Sequence, residues 1–278
     1  MNSLKIGRII KIISNQYTVL IDEERKGCRA RGKFRNQKKV PMVGDIVLVS
    51  PENMIEKIEK RTTELERPFI SNVDQAVVVT SVKSPNLSLH LLDKLLVIIE
   101  YNNIQPIICF TKLDLLDDLV EIKGLIKYYQ SIGYQVFSNQ NQKIRKIFRD
   151  RITVFTGQTG AGKSSLLNLF DKTLKINTAP ISKALGRGKH TTRHVELYQL
   201  LGGLIADTPG FSALSFSKMS ISDIRDNMIE FNQYRDKCKY RDCIHQYEDG
   251  CEIKKMVEQK IILESRYQNY LKFISEVK

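Results

Sequence analysis

Eight residues, Gly157-Gln158-Thr159-Gly160-Ala161-Gly162-Lys163-Ser164, restrict this chain more than any other stretch. A glycine, four residues and Gly-Lys-Ser form the pattern of a phosphate-cradling loop, and the flanks agree with it. Ile152-Thr153-Val154-Phe155 is apolar and β-branched, which predicts a buried strand. Ser165-Leu166-Leu167-Asn168-Leu169-Phe170 predicts a helix opened by the loop. The glycines let backbone N–H groups turn inward around phosphate oxygens, and the helix N-terminus adds positive potential. Gly157 to Ser165 are therefore candidate nucleotide contacts, with Lys163 reaching the β- and γ-phosphates and the Ser164 hydroxyl ligating Mg²⁺. A glycine-rich turn without a ligand is the plainer alternative; the strand and helix around it speak for the site.

The 80 or so residues before this loop alternate between strand and helix patterns. Asp74-Gln75-Ala76-Val77-Val78-Val79, Pro106-Ile107-Ile108-Cys109-Phe110 and Tyr134-Gln135-Val136-Phe137 read as strands. Ser88 to Tyr101 reads as a helix, with Leu89, Leu92, Leu95, Leu96 and Ile99 near helical spacing. Such alternation predicts a parallel, doubly wound α/β sheet, whose ligands gather at the C-terminal strand ends. Thr111-Lys112-Leu113-Asp114 stands at such an end. It is similar to the guanine-reading Asn-Lys-x-Asp motif of GTPases, with Thr for Asn. A carboxylate at Asp114 can accept from both N1–H and the exocyclic amine of guanine, whereas adenine would leave it unpaired. The stem of Lys112 could cover the base, and Ser138 would supply a backbone contact to the guanine carbonyl. The alternative is that Asp114 caps the next helix.

After the phosphate loop come Gly188-Lys189-His190-Thr191-Thr192-Arg193 and Asp207-Thr208-Pro209-Gly210. The second fits Asp-x-x-Gly: Asp207 would hold Mg²⁺ through water and the Gly210 N–H would sense the γ-phosphate, while Thr191 or Thr192 would complete the Mg²⁺ shell. In an ordinary GTPase the guanine motif follows Asp-x-x-Gly. Here it precedes the phosphate loop by about forty residues, which a circular permutation explains.

The ends of the chain read differently. Residues 1–67 hold several short strand patterns, suggesting a small Greek-key barrel of OB type. Arg25 to Lys39 contains eight basic residues and no acidic one, within a chain of net charge +13. That favours a polyanionic partner such as RNA over a merely solvated hairpin, and Phe34 inside it is a candidate base-stacking residue. No apolar run approaches a membrane span, and five cysteines in a basic chain predict a reducing, cytoplasmic setting. Near the other end, Cys238, Cys243, His245 and Cys251 suit a closed, structural Zn²⁺ site rather than a chance cluster of thiols. Helices are expected over 221–234 and 258–277.

The permuted order, the basic β domain before it and the cysteine cluster after it resemble the RsgA/YjeQ family of ribosome small-subunit-dependent GTPases. The resemblance implies three parts: an OB-fold RNA-binding domain (1–67), a circularly permuted P-loop GTPase domain (68–220) and a helical zinc-binding domain (221–278). It implies GTP/GDP, Mg²⁺ and Zn²⁺ as cofactors, and the small ribosomal subunit and its rRNA as partners, with other assembly factors beside them. The chain would be monomeric and its turnover stimulated by the subunit. Phe211 stands where other GTPases place a water-orienting Gln. His190 or a ribosomal group would take that role, unless His190 contacts RNA phosphate instead. Two rivals are a GTP-dependent RNA-binding module with incidental turnover and an ATP-using P-loop enzyme; Asp114 speaks against the second.

Overall fold

A computed structural model describes residues 3–32, 34, 40–66, 69–170, 195–207 and 215–277. The chain forms two compact units, each assembled from separated segments. The first comprises Met1–Val77, Asn141–Thr156 and Lys163–Phe211. It opens with β1 (Lys5–Ile13), β2 (Gln16–Ile21), β3 (Glu24–Ala30), β4 (Ile46–Val49) and β5 (Met54–Ile58). Pairings run β1–β2, β2–β3, β3–β5, β5–β4 and β4–β1, closing a five-stranded barrel. Closure leaves none of these strands without a neighbour on either side, which removes the edge problem of an open sheet. Gly7 is required where β1 crosses the barrel interior: a Cβ there would lie 2.5 Å from Val19 Cγ1 and 2.9 Å from the Leu20 carbonyl oxygen.

The barrel core gathers Ile9, Val19, Ile21, Val47, Val49, Ile55 and Ile58. Phe34 belongs to this core, only 5% exposed, so the expectation that it stacks on a base is overturned. Its ring is already used, packed among the apolar side chains that fill the barrel interior. Of the basic run, Arg25, Lys26 and Arg29 lie on β3 and Arg31 just beyond it, while Lys33, Arg35, Lys38 and Lys39 lie outside the described residues. The hairpin of β6 (Glu64–Glu66) and β7 (Phe69–Ser71) follows the barrel. The same unit holds β11 (Ile152–Thr156), α3 (Lys163–Phe170), β12 (Glu196–Leu200) and β13 (Gly203–Asp207). β13 pairs in parallel with β11 and antiparallel with β12, and β12 pairs with β1 of the barrel.

The second unit comprises Val78–Gln140, Gly157–Gly162 and Ser212–Lys278. Its sheet order is β10-β9-β8, from β8 (Gln75–Ser81), β9 (Gln105–Thr111) and β10 (Gln135–Ser138). α1 (Leu89–Tyr101) and α2 (Val120–Ser131) alternate with these strands, giving the expected doubly wound pattern. Ser88 caps α1, accepting the Leu91 N–H at 3.2 Å. Helices α4 (Ile221–Asp226), α5 (Glu252–Glu258) and α6 (Glu264–Ser275) complete the unit. Val97 and Ile98 of α1 share one core with Phe216, Ile224, Phe231, Ile253, Tyr270 and Phe273.

Two predicted helices are shorter than expected. The first stops at Asp226, where Asn227 donates both its backbone N–H and its side-chain amide (2.7 Å) to the Asp223 carbonyl, ending the ladder. The last begins at Glu264, because Lys260 adopts a left-handed φ of 60° after α5.

A fully buried ion cluster joins α1, α2 and α6 of this unit. Arg266 of α6 donates to Asp93 of α1 at 2.8 Å and to Glu230 at 2.6 Å. Tyr129 of α2 and Asn269 of α6 donate to the two oxygens of Asp93, each at 2.7 Å. Removing the guanidinium would strand two carboxylates in a dry interior. Arg266→Met is expected to destabilise the chain by about 3–5 kcal/mol, measured as a lowered denaturation midpoint in urea.

Candidate nucleotide and metal sites

The phosphate loop is shaped by backbone before any side chain acts. Gly157 has φ 124°, and a Cβ there would lie 2.1 Å from the Val79 carbonyl oxygen, so the loop leaves β11 pressed against β8 where only glycine fits. A turn follows, with the Ala161 N–H donating to the Gln158 carbonyl at 3.1 Å. Gly162, at φ 95°, passes beside the Thr111 side chain. Lys163 and Ser164 then open α3, as the sequence predicts. Partial burial pushes the Lys163 ammonium below the ordinary lysine value. That is the cost of withdrawing a cation from water, which phosphate oxygens would offset.

The guanine motif lies against this loop within the second unit. The Thr111 hydroxyl, buried, donates to the Ala161 carbonyl at 2.6 Å. Lys112, in a left-handed turn with φ 61°, donates its ammonium to the carbonyls of Gly160 (2.9 Å) and Ser84. Thr at the first motif position thus keeps a brace to the phosphate loop without an amide. Leu113–Leu115 forms a 3₁₀ turn that leaves Asp114 exposed. Asp114 does not cap the next helix; the first N–H of α2, from Val120, is taken by Asp118 at 2.9 Å. Ser138 ends β10 beside β9, its register partner being Phe110. Cys109 is core, its thiol pushed up to about 12 by burial.

In the first unit, Val154 of β11 pairs with Ala206 of β13 in parallel register. The strand leading to the phosphate loop and the strand leading to Asp207 therefore leave the sheet at the same edge. Gly210, His190, Thr191 and Thr192 lie outside the described residues. The loop after β8 was not anticipated from sequence: Ser84 receives Lys112, and Pro85 Cδ would lie 3.6 Å from a Cβ at Gly160. Its position at a C-terminal strand end was the available signal.

Cys238, Cys243, His245 and Cys251 converge, their ligand atoms all within 4.8 Å of one another. His245 Nδ1 faces the sulfurs, 3.6 Å from Cys238 Sγ and 3.4 Å from Cys251 Sγ. Its buried Nε2 has no hydrogen-bond partner among the described residues. Three thiols and one imidazole at this separation fit a tetrahedral zinc ion, whose sulfur ligands sit about 2.3 Å from the metal. Surrounding groups fix the donors. Glu248 accepts N–H bonds from Ile244, Gln246 and Tyr247, and the Tyr267 hydroxyl donates to the His245 carbonyl at 2.8 Å. These supporting residues carry no sequence signal of their own.

A glycine-shaped phosphate loop opening a helix, braced by a Thr-Lys-Leu-Asp turn at the end of β9, defines a P-loop GTPase. The RsgA GTPase family model matches residues 52–217, and the RsgA N-terminal domain model matches residues 6–56. The chain is 46% identical to small ribosomal subunit biogenesis GTPase RsgA 2 of Oceanobacillus iheyensis, covering 98% of this chain and 97% of that one. It is 44% identical to the Bacillus subtilis RsgA over 98% and 97% of the two chains. Two crystal structures match its fold. YloQ, a circularly permuted GTPase, has TM-score 0.85 and 39% identity over 99% of this chain and 95% of that one. YjeQ from Thermotoga maritima has TM-score 0.84 and 32% identity over 99% of both.

The chain belongs to the RsgA family of GTPases. It is a GTP hydrolase with a circularly permuted GTPase fold behind an N-terminal barrel, using GTP/GDP and Mg²⁺ as that family does.

Two outcomes test the sites. Thr111→Val leaves the buried Ala161 carbonyl without its donor, a loss of about 1–3 kcal/mol. Affinity for a fluorescent GTP analogue is expected to fall about tenfold, with Thr111→Ser restoring it. At the cysteine cluster, burial pushes the Cys243 thiol up to about 12 and the His245 imidazole down to about 4. A zinc ion binding there would therefore displace a thiol proton but no imidazole proton near neutrality. Its affinity should weaken as pH falls from 8 to 6, read by chelator competition.

Proposed function

We propose that this chain serves in biogenesis of the small ribosomal subunit, binding the subunit through its RNA and hydrolysing GTP under the subunit's stimulation. The names of its close relatives support the pathway. The net charge of +13 and the cations on β3 support an RNA partner met through phosphates. The single observation that carries the nucleotide reading is the bracing of Gly160 and Ala161 by Lys112 and Thr111. It gives a base-reading turn and a phosphate-holding loop a common frame, as one nucleotide requires.

In this reading Thr111, Lys112, Leu113, Asp114 and Ser138 surround the guanine, and Gly157 to Ser165 hold the phosphates. Asp207 and one of Thr191 or Thr192 complete the Mg²⁺ shell, and Gly210 senses the γ-phosphate. His190 orients the attacking water, since Phe211 has no polar atom with which to do so. Zn²⁺ on Cys238, Cys243, His245 and Cys251 braces the C-terminal helices. The setting is cytoplasmic, and no described helix is long and apolar enough to cross a membrane.

The test is multiple-turnover phosphate release with and without purified small subunits. Turnover should be slow alone and rise with added subunits. His190→Ala should lose the stimulated turnover while keeping GTP affinity; unchanged stimulation would remove His190 from the mechanism.

A further inference from the structure

A cavity of about 360 Å³ opens in the second unit where β9 and β10 begin, at the opposite strand ends from the guanine motif. Its wall includes Glu100 of α1, Gly133 and Tyr134 just past α2, and Gln105 and Gln135, the first residues of the two strands. Helices α1 and α2 both end beside it, and neither carries a basic residue in its last turn. A helix C-terminus holds partial negative charge, which such a residue would ordinarily offset.

The charges behind this wall do not balance. Asp93 and Glu230 already take the hydrogen bonds of Arg266. Glu100 adds a third carboxyl within the field of the same guanidinium, and its side chain makes no hydrogen bond or ion pair among the described residues. Burial pushes Glu100 up to about 7, with Arg266 acting against that rise. The Tyr134 hydroxyl, on a residue 5% exposed, is also without a hydrogen-bond partner among the described residues. The same tyrosine senses the charges of Arg266, Glu230, Glu100 and Asp93, so it belongs to the cluster as well as to the cavity wall. Three carboxyls share one guanidinium, and the carboxyl left unpaired is the one at the cavity.

We infer that this cavity binds an alkylammonium group, the end of a polyamine or of a lysine side chain, with its charge on Glu100 and the Tyr134 hydroxyl as a further acceptor. An ammonium offers donors and no acceptor, which suits an unpaired carboxylate beside a phenol oxygen. Ile104 and Pro106 of the wall offer apolar contact to its methylene stem. The wall has no thiol or imidazole and a single carboxylate, too few charged ligands for a divalent metal. Lying at the other ends of the strands, the bound amine does not compete with nucleotide.

The test is calorimetric titration of the full, nucleotide-free chain with cadaverine and, separately, with Nα-acetyl-lysine methylamide. The amines of both probes stay protonated from about pH 8 down to about pH 5.5. Tighter binding of cadaverine assigns the cavity to a polyamine, and tighter binding of the lysine analogue assigns it to a lysine side chain; either upholds the inference. Wild-type affinity should fall about tenfold or more over that interval, because Glu100 takes up a proton within it. Glu100→Gln should lose about tenfold in amine affinity at the upper pH, while its affinity for a fluorescent GTP analogue stays unchanged. Failure of both probes to bind overturns the inference. So does an affinity that is the same at both pH values or the same in Glu100→Gln, since the amine would then be held elsewhere. Should Glu100→Gln fail to fold, the pH comparison on the wild-type chain decides alone.

Discussion

One hydroxyl joins the two halves of the nucleotide problem. Thr111, at the end of β9, donates to the Ala161 carbonyl, and Lys112 beside it holds Gly160 and Ser84. Recognising a base and holding its phosphates are separate tasks, encoded about forty residues apart and in reversed order. Only a fixed relation between the two loops lets a single ligand satisfy both. Permutation moves the chain ends without disturbing that relation, because the loops belong to strand ends and strand ends are placed by the sheet.

The C-terminal helices add a second kind of constraint. Buried ion clusters contribute little net stability over a well-packed apolar core, but they penalise every arrangement in which a partner is missing. Arg266 between Asp93 and Glu230 therefore specifies how α6 meets α1. Near it, the four thiol and imidazole donors converge in a segment with few regular backbone bonds, fixed by Glu248 and by the Tyr267 and Tyr270 hydroxyls. A metal held there would tie together a short segment that has little regular secondary structure of its own.

Much of this was legible in the sequence because the chemistry is local. Gly157 to Ser164, Thr111 to Asp114 and the Cys-His cluster each place particular residue types at short spacings, and local spacing survives into the fold. The doubly wound pattern around residues 75–138 was legible for the same reason, its strands being unbroken apolar runs. What depended on remote partners was not. Phe34 sits amid basic residues in the sequence, yet the barrel closes over its ring. The end of α4 depends on which carbonyls Asn227 reaches, a choice made by backbone geometry rather than composition. Nothing in the stretch around Arg266 announces that it will be fully buried.

The Arg266–Asp93 bond spans 173 positions of the chain. During synthesis Asp93 leaves the exit tunnel long before its counter-charge has been translated. Every nucleotide motif has emerged by then, so a nascent chain can possess the complete GTP-binding vocabulary while its second unit still lacks its keystone. Long-range closure of this kind is slow to form and comes late. The final helix is thus the last piece of the second unit's core to be made, after every nucleotide motif has been translated.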